Sequence, residues 1–284
     1  MPAPAATVER CEAPPLSADV IERWLADGSM SNDCRVEVVA TTGSTNEDLL
    51  VRARQHQPRY PILRVADEQT AGRGRQKRAW LARPRSALLF SLAVPLDSLP
   101  AALPAITLAN GVALAEYLHA RGVPVDLKWP NDVLLEGRKL AGILCEVGVD
   151  ADGRATLVVG VGVNGWLTDE ERAAIGQPAA ALSEVVASSL LAAEREAWIA
   201  QMAAAMLAMV SRYVDDGFVP VRERYNALLH ARGDEVDIVD DGQVTASGRV
   251  VEVDTIGRLV LASENGTRTI NVGDVSLRRA ESQR

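Results

Sequence analysis

Lys128, Asn131, Asp132, Arg138 and Lys139 are set into an otherwise largely apolar run, Lys128-Trp-Pro-Asn-Asp-Val-Leu-Leu-Glu-Gly-Arg-Lys-Leu-Ala-Gly-Ile-Leu-Cys-Glu146. Lys139 leads into the small and apolar residues Leu140, Ala141, Gly142 and Ile143. A compact ammonium beside small residues suits an anion that must approach the backbone closely. Pro130 fixes φ at the start of a turn and so aims Asn131 and Asp132 in one direction. An exposed hairpin with ordinary surface lysines fits the same residue types.

Three further stretches could do chemistry. Glu68-Gln-Thr-Ala-Gly-Arg-Gly-Arg-Gln-Lys-Arg-Ala-Trp80 is glycine-rich, then basic, then aromatic. Gly72 and Gly74 let backbone amides come near a phosphate, and Arg73 and Arg75 can fork onto its oxygens. The stretch is neither a G-x-x-x-x-G-K-[ST] loop nor a G-x-G-x-x-G fingerprint, and a solvated basic loop has the same composition. Ser44-Thr-Asn-Glu47 spells a capping box, and its helix end suits a carbonyl or oxyanion, although capping alone accounts for the pattern. Gly160-Val-Gly-Val-Asn164 ends an apolar strand, and Asn164-Gly165 also fits a type I′ turn.

The elements that must position these residues follow from periodicity and turn residues. The opening run reads as a hairpin, 133–135 paired with 139–146 around Glu136-Gly137-Arg138. Residues 1–16 are Ala/Pro-rich and read as a loose tail. Ser17 caps a helix over 17–27, with Val20, Ile21, Trp24 and Leu25 on one face and Gly28 as its stop. Strands are expected over 35–40, 62–67, 86–95, 125–129 and 154–163. Helices are expected over 44–57 and 101–121, then over 168–209 with a restart at Pro178 and a long segment over 194–215, and over 213–230. Met202, Met206 and Met209 fall at helical spacing and read as core. From Gly233 onward, short alternating runs are separated by turns at Asp241-Gly242, Ile256-Gly257 and Asn265-Gly266. That spacing predicts a small β-barrel over 232–284. The organisation is a tail (1–16), a main α+β unit (17–231) and the barrel.

Composition excludes several classes. With 48% hydrophobic residues the chain can build a real core, and with 4% aromatics that core must be mostly Ala, Val and Leu. A net charge of -8 lacks the basic footprint that non-specific nucleic-acid binding needs. Cys11, Cys34 and Cys145 are odd in number and contain no C-x-x-C, which fits a reducing compartment rather than a disulfide framework. No secretory signal or membrane span is read. The expectation is a soluble cytoplasmic protein that binds neither DNA nor membrane.

The Lys128–Glu146 run resembles the signature of biotin protein ligases, in which Lys-Trp-Pro-Asn-Asp leads into Arg-Lys-Leu-Ala-Gly-Ile-Leu. The resemblance is long and ungapped, and the other three stretches and the terminal barrel follow in the family's order. It implies a catalytic domain like that of class II aminoacyl-tRNA synthetases, with a mixed or antiparallel sheet and packed helices, followed by an SH3-like barrel. It implies ATP-dependent activation of biotin as biotinyl-5'-AMP and transfer to a lysine of biotin carboxyl carrier protein. The implied biotin-binding residues are Ser44, Thr45, Asn46, Gln69, Gly72, Arg73, Gly74, Arg75, Lys139 and Gly142. The implied nucleotide-binding residues are Arg75, Trp80, Asn131, Lys139, Gly160, Gly162 and Asn164. Lys139 and Arg75 become the catalytic cations, and Asp132 becomes the candidate to hold Mg²⁺. The lysine nucleophile belongs to the carrier, and His56, His119 and His230 all fall in predicted helices away from these motifs.

The family pattern continues Gly-Arg-Gly-Arg-x-Gly-Arg, and Lys77 stands where its third glycine would be, which bears on how flexible the loop is. The residues ahead of 35 are too few for a three-helix DNA-binding unit such as some of these ligases carry, so the monofunctional type is expected. A homodimer through a sheet edge stays open. So do a lipoate ligase or octanoyltransferase on the same fold, and a non-catalytic biotin-sensing regulator. A transferase would need a nucleophilic cysteine, and Cys145, in an apolar strand, reads as packing.

Overall fold

The computed structural model describes residues 13–27, 34–100, 102–240, 243–264, 266–271 and 276–279. Cys11, most of the expected tail, the Gly28 stop and the Asp241-Gly242 turn lie outside them. In chain order the elements are α1 (Ala18–Asp27), β1 (Arg35–Thr42), α2 (Thr45–Gln55), β2 (Ile62–Gln69), β3 (Ala87–Leu96), α3 (Ile106–Ala120), β4 (Val125–Lys128), β5 (Asp132–Leu135), β6 (Arg138–Val149) and β7 (Ala155–Asn164). There follow α4 (Asp169–Ile175), α5 (Ser188–Ala193), α6 (Arg195–Asp216), α7 (Val219–Ala227), β8 (Glu235–Asp240), β9 (Gln243–Val253), β10 (Leu259–Ser263), β11 (Gly266–Ile270) and β12 (Ser276–Arg279).

The main sheet is mixed, in the order β1-β2-β3-β7-β6-β5-β4, with β1 and β2 parallel and every other neighbouring pair antiparallel. Alternation along β7 divides its residues between two faces. Val159, Val161 and Val163 point into the large core built with α1, α3 and α6. Val158 points the other way, where Leu49 and Leu50 of α2 cover it. Gly160 and Gly162 share the parity of Val158, so they lie on the α2 face and leave it open beyond the helix. Met202, Met206 and Met209 are buried, as their spacing predicts. α6 is the one helix among the described residues long and apolar enough to cross a membrane, and most of it is buried inside this fold.

Several expectations are corrected. Residues 13–16, the described end of the tail, are held: Arg195 donates to the Pro14 carbonyl at 3.0 Å, and the Leu16 amide donates to Asp67 at 3.3 Å. Arg195 and Asp67 form a buried ion pair at 2.8 Å beneath that segment. Trp24 is exposed, while Ile21 and Leu25 carry the buried face of α1. The helix expected from 101 starts instead as a single 3-10 turn over Leu103–Ala105, with Pro104 in its first turn, before α3 begins. Pro178 does not restart a helix. α4 ends at Gly176 in the left-handed conformation (φ 70°), the usual role of glycine past a helix end. The chain then runs beside Lys139, which donates its N–H to the Pro178 carbonyl at 2.9 Å and accepts from the Ala180 N–H at 2.9 Å. A proline suits such a strap because only its carbonyl is needed. His230 lies beyond α7, not within it.

The C-terminal strands form one antiparallel sheet in the order β11-β10-β9-β8-β12. It is seated on the main unit by specific contacts. Trp129 Nε1 donates to the Gly257 carbonyl at 3.1 Å, and Asn226 pairs with the backbone of Val253 in both directions, at 3.1 and 2.7 Å.

Candidate active site

Cross-strand register builds the floor of the site. Leu89 faces Gly162, Gly162 faces Gly142, Gly142 faces Asp132 and Asp132 faces Lys128. One step along, Ser91 faces Gly160 and Gly160 faces Leu144. Directly opposed residues share a face, so two ranks of side chains cross the sheet with gaps at the glycines.

Those gaps are filled by two side chains from outside the sheet. A Cβ on Gly162 would stand 2.5 Å from the Trp80 ring, and one on Gly142 would stand 3.2 Å from it. A Cβ on Gly160 would stand 2.5 Å from Asn46 Oδ1. The glycines therefore admit Trp80 and Asn46 to the backbone, and larger residues would expel them. Gly72 acts in the same way one layer out: it accepts the Trp80 N–H at 2.9 Å, and a Cβ there would meet the Trp80 carbonyl at 2.9 Å.

Lys139 reaches this floor through a β-bulge. Val133 pairs with Ala141 but Leu134 pairs with Lys139, so Leu140 is an extra residue in β6. Residues 139 and 142 would otherwise point to opposite faces, and the bulge turns Lys139 onto the Gly142 face. Its Nζ stands 2.7 Å from Asp132 Oδ1 and 5.7 Å from the centre of the Trp80 ring. The hairpin loop before it is two residues, Glu136 (φ 52°) and Gly137 (φ 75°), both left-handed as a type I′ turn requires. Arg138 belongs to the strand, not the turn.

The opposite end of the cleft is built by the start of α2. Ser44 caps the helix, accepting the Glu47 N–H at 3.4 Å. Only half of the expected capping box forms, because the Glu47 carboxylate pairs with Arg73. The Thr45 N–H and hydroxyl both meet Gln69 Oε1, at 2.7 and 3.1 Å, and the hydroxyl also contacts Ser91 Oγ at 2.8 Å. Thr45 is buried and Ser91 has no exposure at all, while Gln69 is half-buried. Asn46 donates through Nδ2 to Glu146 at 2.6 Å. Arg73 bends towards this end, with Glu146 3.6 Å away. Beyond it, Arg75–Lys77 forms one 3-10 turn, and the left-handed backbone of the loop falls at Gln76 (φ 51°).

The two ends share one cleft of about 480 Å³. Its lining includes Ser44, Thr45, Asn46, Gln69, Arg73, Gly74, Arg75, Trp80, Asn131, Asp132, Lys139, Gly142, Gly160, Gly162 and Asn164. Of the expected site residues, Gly72 alone stands behind the lining. Asn131 and Asn164 face the cleft but already make structural bonds. Asn131 Nδ2 donates to the Ile143 carbonyl at 3.1 Å. Asn164 Nδ2 donates to the carbonyls of Ala180 and Lys139, at 3.0 and 3.3 Å, and so ties the strap to β6. Neither Asn164 nor Gly165 has positive φ, so a type I′ turn is not what that pair forms.

The sequence reading missed Ser91 and the strap residues Gln177, Pro178 and Ala179, and gave no site role to Lys128, although all of them are in the lining. Ser91 lies in an apolar strand without any motif, and register alone brings it to Thr45. The strap carries no pattern beyond Pro178. His230 also reaches the neighbourhood: its Nδ1 is 3.6 Å from Asp126, in a groove adjoining Lys128, Asp132 and Lys139.

Cys145 sits on the other face of β6, packed against the large core. Burial pushes its thiol up to about 12, against a weaker hydrogen bond from Thr107. It is a packing residue and cannot be a thiolate nucleophile near neutral pH.

Residues 38–164 match the Biotin/lipoate A/B protein ligase family, and residues 233–278 match the Biotin protein ligase C terminal domain. The chain is 34% identical to the biotin--[acetyl-CoA-carboxylase] ligase of Mycobacterium tuberculosis over 270 residues, covering 92% of this chain and 96% of that one. It is 31% identical to the enzyme of that name from Paracoccus denitrificans, covering 84% and 98%. The fold superposes on the biotin protein ligase of Aquifex aeolicus in complex with biotin and ATP, with a TM-score of 0.70, 25% identity, and coverage of 87% and 99%.

Proposed function

This chain belongs to the biotin protein ligase family, and we propose that its cleft divides the family's reaction between the two ends described above. The chain is a biotin ligase. It uses ATP to activate biotin as biotinyl-5'-AMP and passes the biotinyl group to a lysine of biotin carboxyl carrier protein.

A carboxylate resists nucleophilic attack, so it is first made electrophilic. A biotin carboxylate oxygen attacks the α-phosphorus of ATP, an O–P bond forms, and pyrophosphate leaves. The lysine amine of the carrier then attacks the acyl carbon of the mixed anhydride, AMP leaves, and the amine loses a proton to become an amide. Two anions meet in the first step, so the site must bring positive charge to where they join.

Lys139 takes that place. Its ammonium stands 2.7 Å from Asp132 and 5.7 Å from the centre of the Trp80 ring, in the same cleft as the polar nest of Thr45, Gln69 and Ser91. This position is the single observation that carries the assignment. The nest takes the ureido ring of biotin, with Ser44, Asn46, Gly72, Arg73 and Gly74 around it. Trp80, Asn131, Gly160, Gly162 and Asn164 bound the nucleotide end. Arg75 follows the glycines of the covering loop and supplies a second cation over the anhydride. Asp132 is the one carboxylate in the lining among the described residues, and a single carboxylate beside phosphates is the kind of site Mg²⁺ accepts. Mg²⁺ there would neutralise phosphate charge, and Asp132 would orient Lys139 through their 2.7 Å contact.

The catalytic unit spans 17–231 and the small C-terminal unit 232–284. The carrier protein is that of acetyl-CoA carboxylase, as the relatives' names suggest. The protein works in the cytoplasm, a reading supported by the free thiols of Cys34 and Cys145. The net charge of -8 supports a role without DNA binding. The edge of β6 past Gly142 has no partner strand among the described residues and offers a surface for a homodimer.

The deciding experiment is incubation with ATP, Mg²⁺, biotin and a purified carrier domain, followed by intact mass. Addition of one biotinyl group, dependent on ATP, is expected. A carrier left unmodified, together with a thermal shift on lipoate and none on biotin, would overturn the reading.

A further inference from the structure

Glu146 closes the Lys128–Glu146 run without any role assigned to it above, yet it joins two walls of the site. It lies on β6, on the face of Gly142 and Leu144. Its Oε2 accepts from Asn46 Nδ2 at 2.6 Å and stands 3.6 Å from Arg73 Nη2. One carboxylate oxygen thus holds the first turn of α2 and the glycine-arginine loop together.

The bond to Asn46 has a directional consequence. An amide presents a donor on one side and an acceptor on the other, whereas an ionised carboxylate can only accept. Glu146 therefore draws Nδ2 towards itself and turns Oδ1 the opposite way. Asn46 is only 4% exposed, and its Oδ1 is buried without a hydrogen-bond donor. It lies against the bare backbone of Gly160, where a Cβ would be 2.5 Å away, at the margin of the cleft that both residues line. A buried acceptor without a donor is costly to leave unpaired. Biotin's N–H groups are the two of its ureido ring.

We propose that Glu146 is a positioning residue for biotin: its carboxylate sets the Asn46 amide so that Oδ1 faces the cleft as the acceptor for a ureido N–H. The inference rests on the ligase reading and adds to it the group that decides which way the amide points. Glu146 does not touch substrate and acts through Asn46. The same carboxylate steadies Arg73, so the loop and the amide are set together.

The test is steady-state pyrophosphate release by the full chain with biotin, ATP and Mg²⁺. Glu146→Met keeps the length of the side chain and removes the acceptor. It is expected to raise the KM for biotin about 10-fold, the scale of a hydrogen bond to a charged group, with less than a twofold change in the KM for ATP. Asn46→Ala is expected to raise the biotin KM to a similar extent. Because one residue acts through the other, the double variant should be no worse than Asn46→Ala alone. A biotin KM within twofold of wild type in Glu146→Met, an equal rise in the KM for ATP, or additive effects in the double variant would overturn the proposal. Should Glu146→Met fail to fold, Glu146→Asp retracts the carboxylate by one methylene, and a wild-type biotin KM there would count equally against it. A wild-type protein without biotin-dependent pyrophosphate release ends the ligase reading itself. An active wild type with insensitive Glu146 variants ends only this inference.

Discussion

Lys139 Nζ and Asp132 Oδ1 stand 2.7 Å apart across the β5–β6 pair, and they meet because Leu140 is an extra residue in β6. Regular alternation would send Lys139 to the face away from Gly142. The bulge reverses that and leaves Leu140 fully buried in the core. One inserted position thus gives the hairpin both a core anchor and a cation in the cleft.

Lys139→Ala should lower biotinyl-adenylate formation by at least ~10²-fold, the scale of losing one preorganised charge. Pyrophosphate release at saturating biotin and ATP measures it. Near-wild-type rates would remove Lys139 from the chemistry.

Gly162→Ala tests the packing of Trp80. The new methyl would stand 2.5 Å from the indole, so the ring must shift to make room. Overpacking of this kind costs about 1–3 kcal/mol when the structure must absorb it. The expected result is a Trp80 displaced from the floor, seen as a shift in tryptophan fluorescence absent from a Trp80→Phe background, with a higher KM for ATP. An unaltered spectrum and KM would show that Trp80 does not rest on this glycine.

Arg75 lies in the loop that covers the cleft, next to the turn at Gln76. Arg75→Ala should weaken retention of the adenylate more than its synthesis, with about 10-fold faster release of free biotinyl-adenylate, as expected for one lost charge-assisted contact. Filtration of the enzyme after a single turnover separates bound from free adenylate. Wild-type release would refute the role.

Cys145 supplies a pH test. Burial raises its pKa to about 12, so the folded protein keeps it as a neutral thiol from acid through mildly alkaline pH. Raising the pH from 7 to 9 should not start alkylation by iodoacetamide, and denaturant should. Cys145→Ala should retain biotin ligation, since the side chain faces the core and not the cleft. Rapid native labelling of this residue, or lost ligation in a folded Cys145→Ala protein, would bring back a thiol-based transferase.

Much was determined by the sequence alone. The motifs and the resemblance they carry singled out Lys139, Arg75, Gly142, Gly160 and Gly162, and the fold brings all five to one cleft. Local signals also placed most strands, the α2 cap and the change to short strands after Gly233, since turns and alternation are set within a few residues. Other features needed the tertiary structure. Ser91 joins Thr45 only through the pairing of β2, β3 and β7, and nothing in its own stretch marks it. The strap over 177–180 is ordered by hydrogen bonds to Lys139, a residue far away along the chain, so Pro178 was read as a helix restart. Arg73 pairs with Glu47 and stands near Glu146, partners that nothing in its own loop marks. Glu146 itself is an ordinary strand residue until α2 and the loop close on it. Residue type decides what chemistry a group can do, and its partners are chosen by register and packing, which no local pattern records.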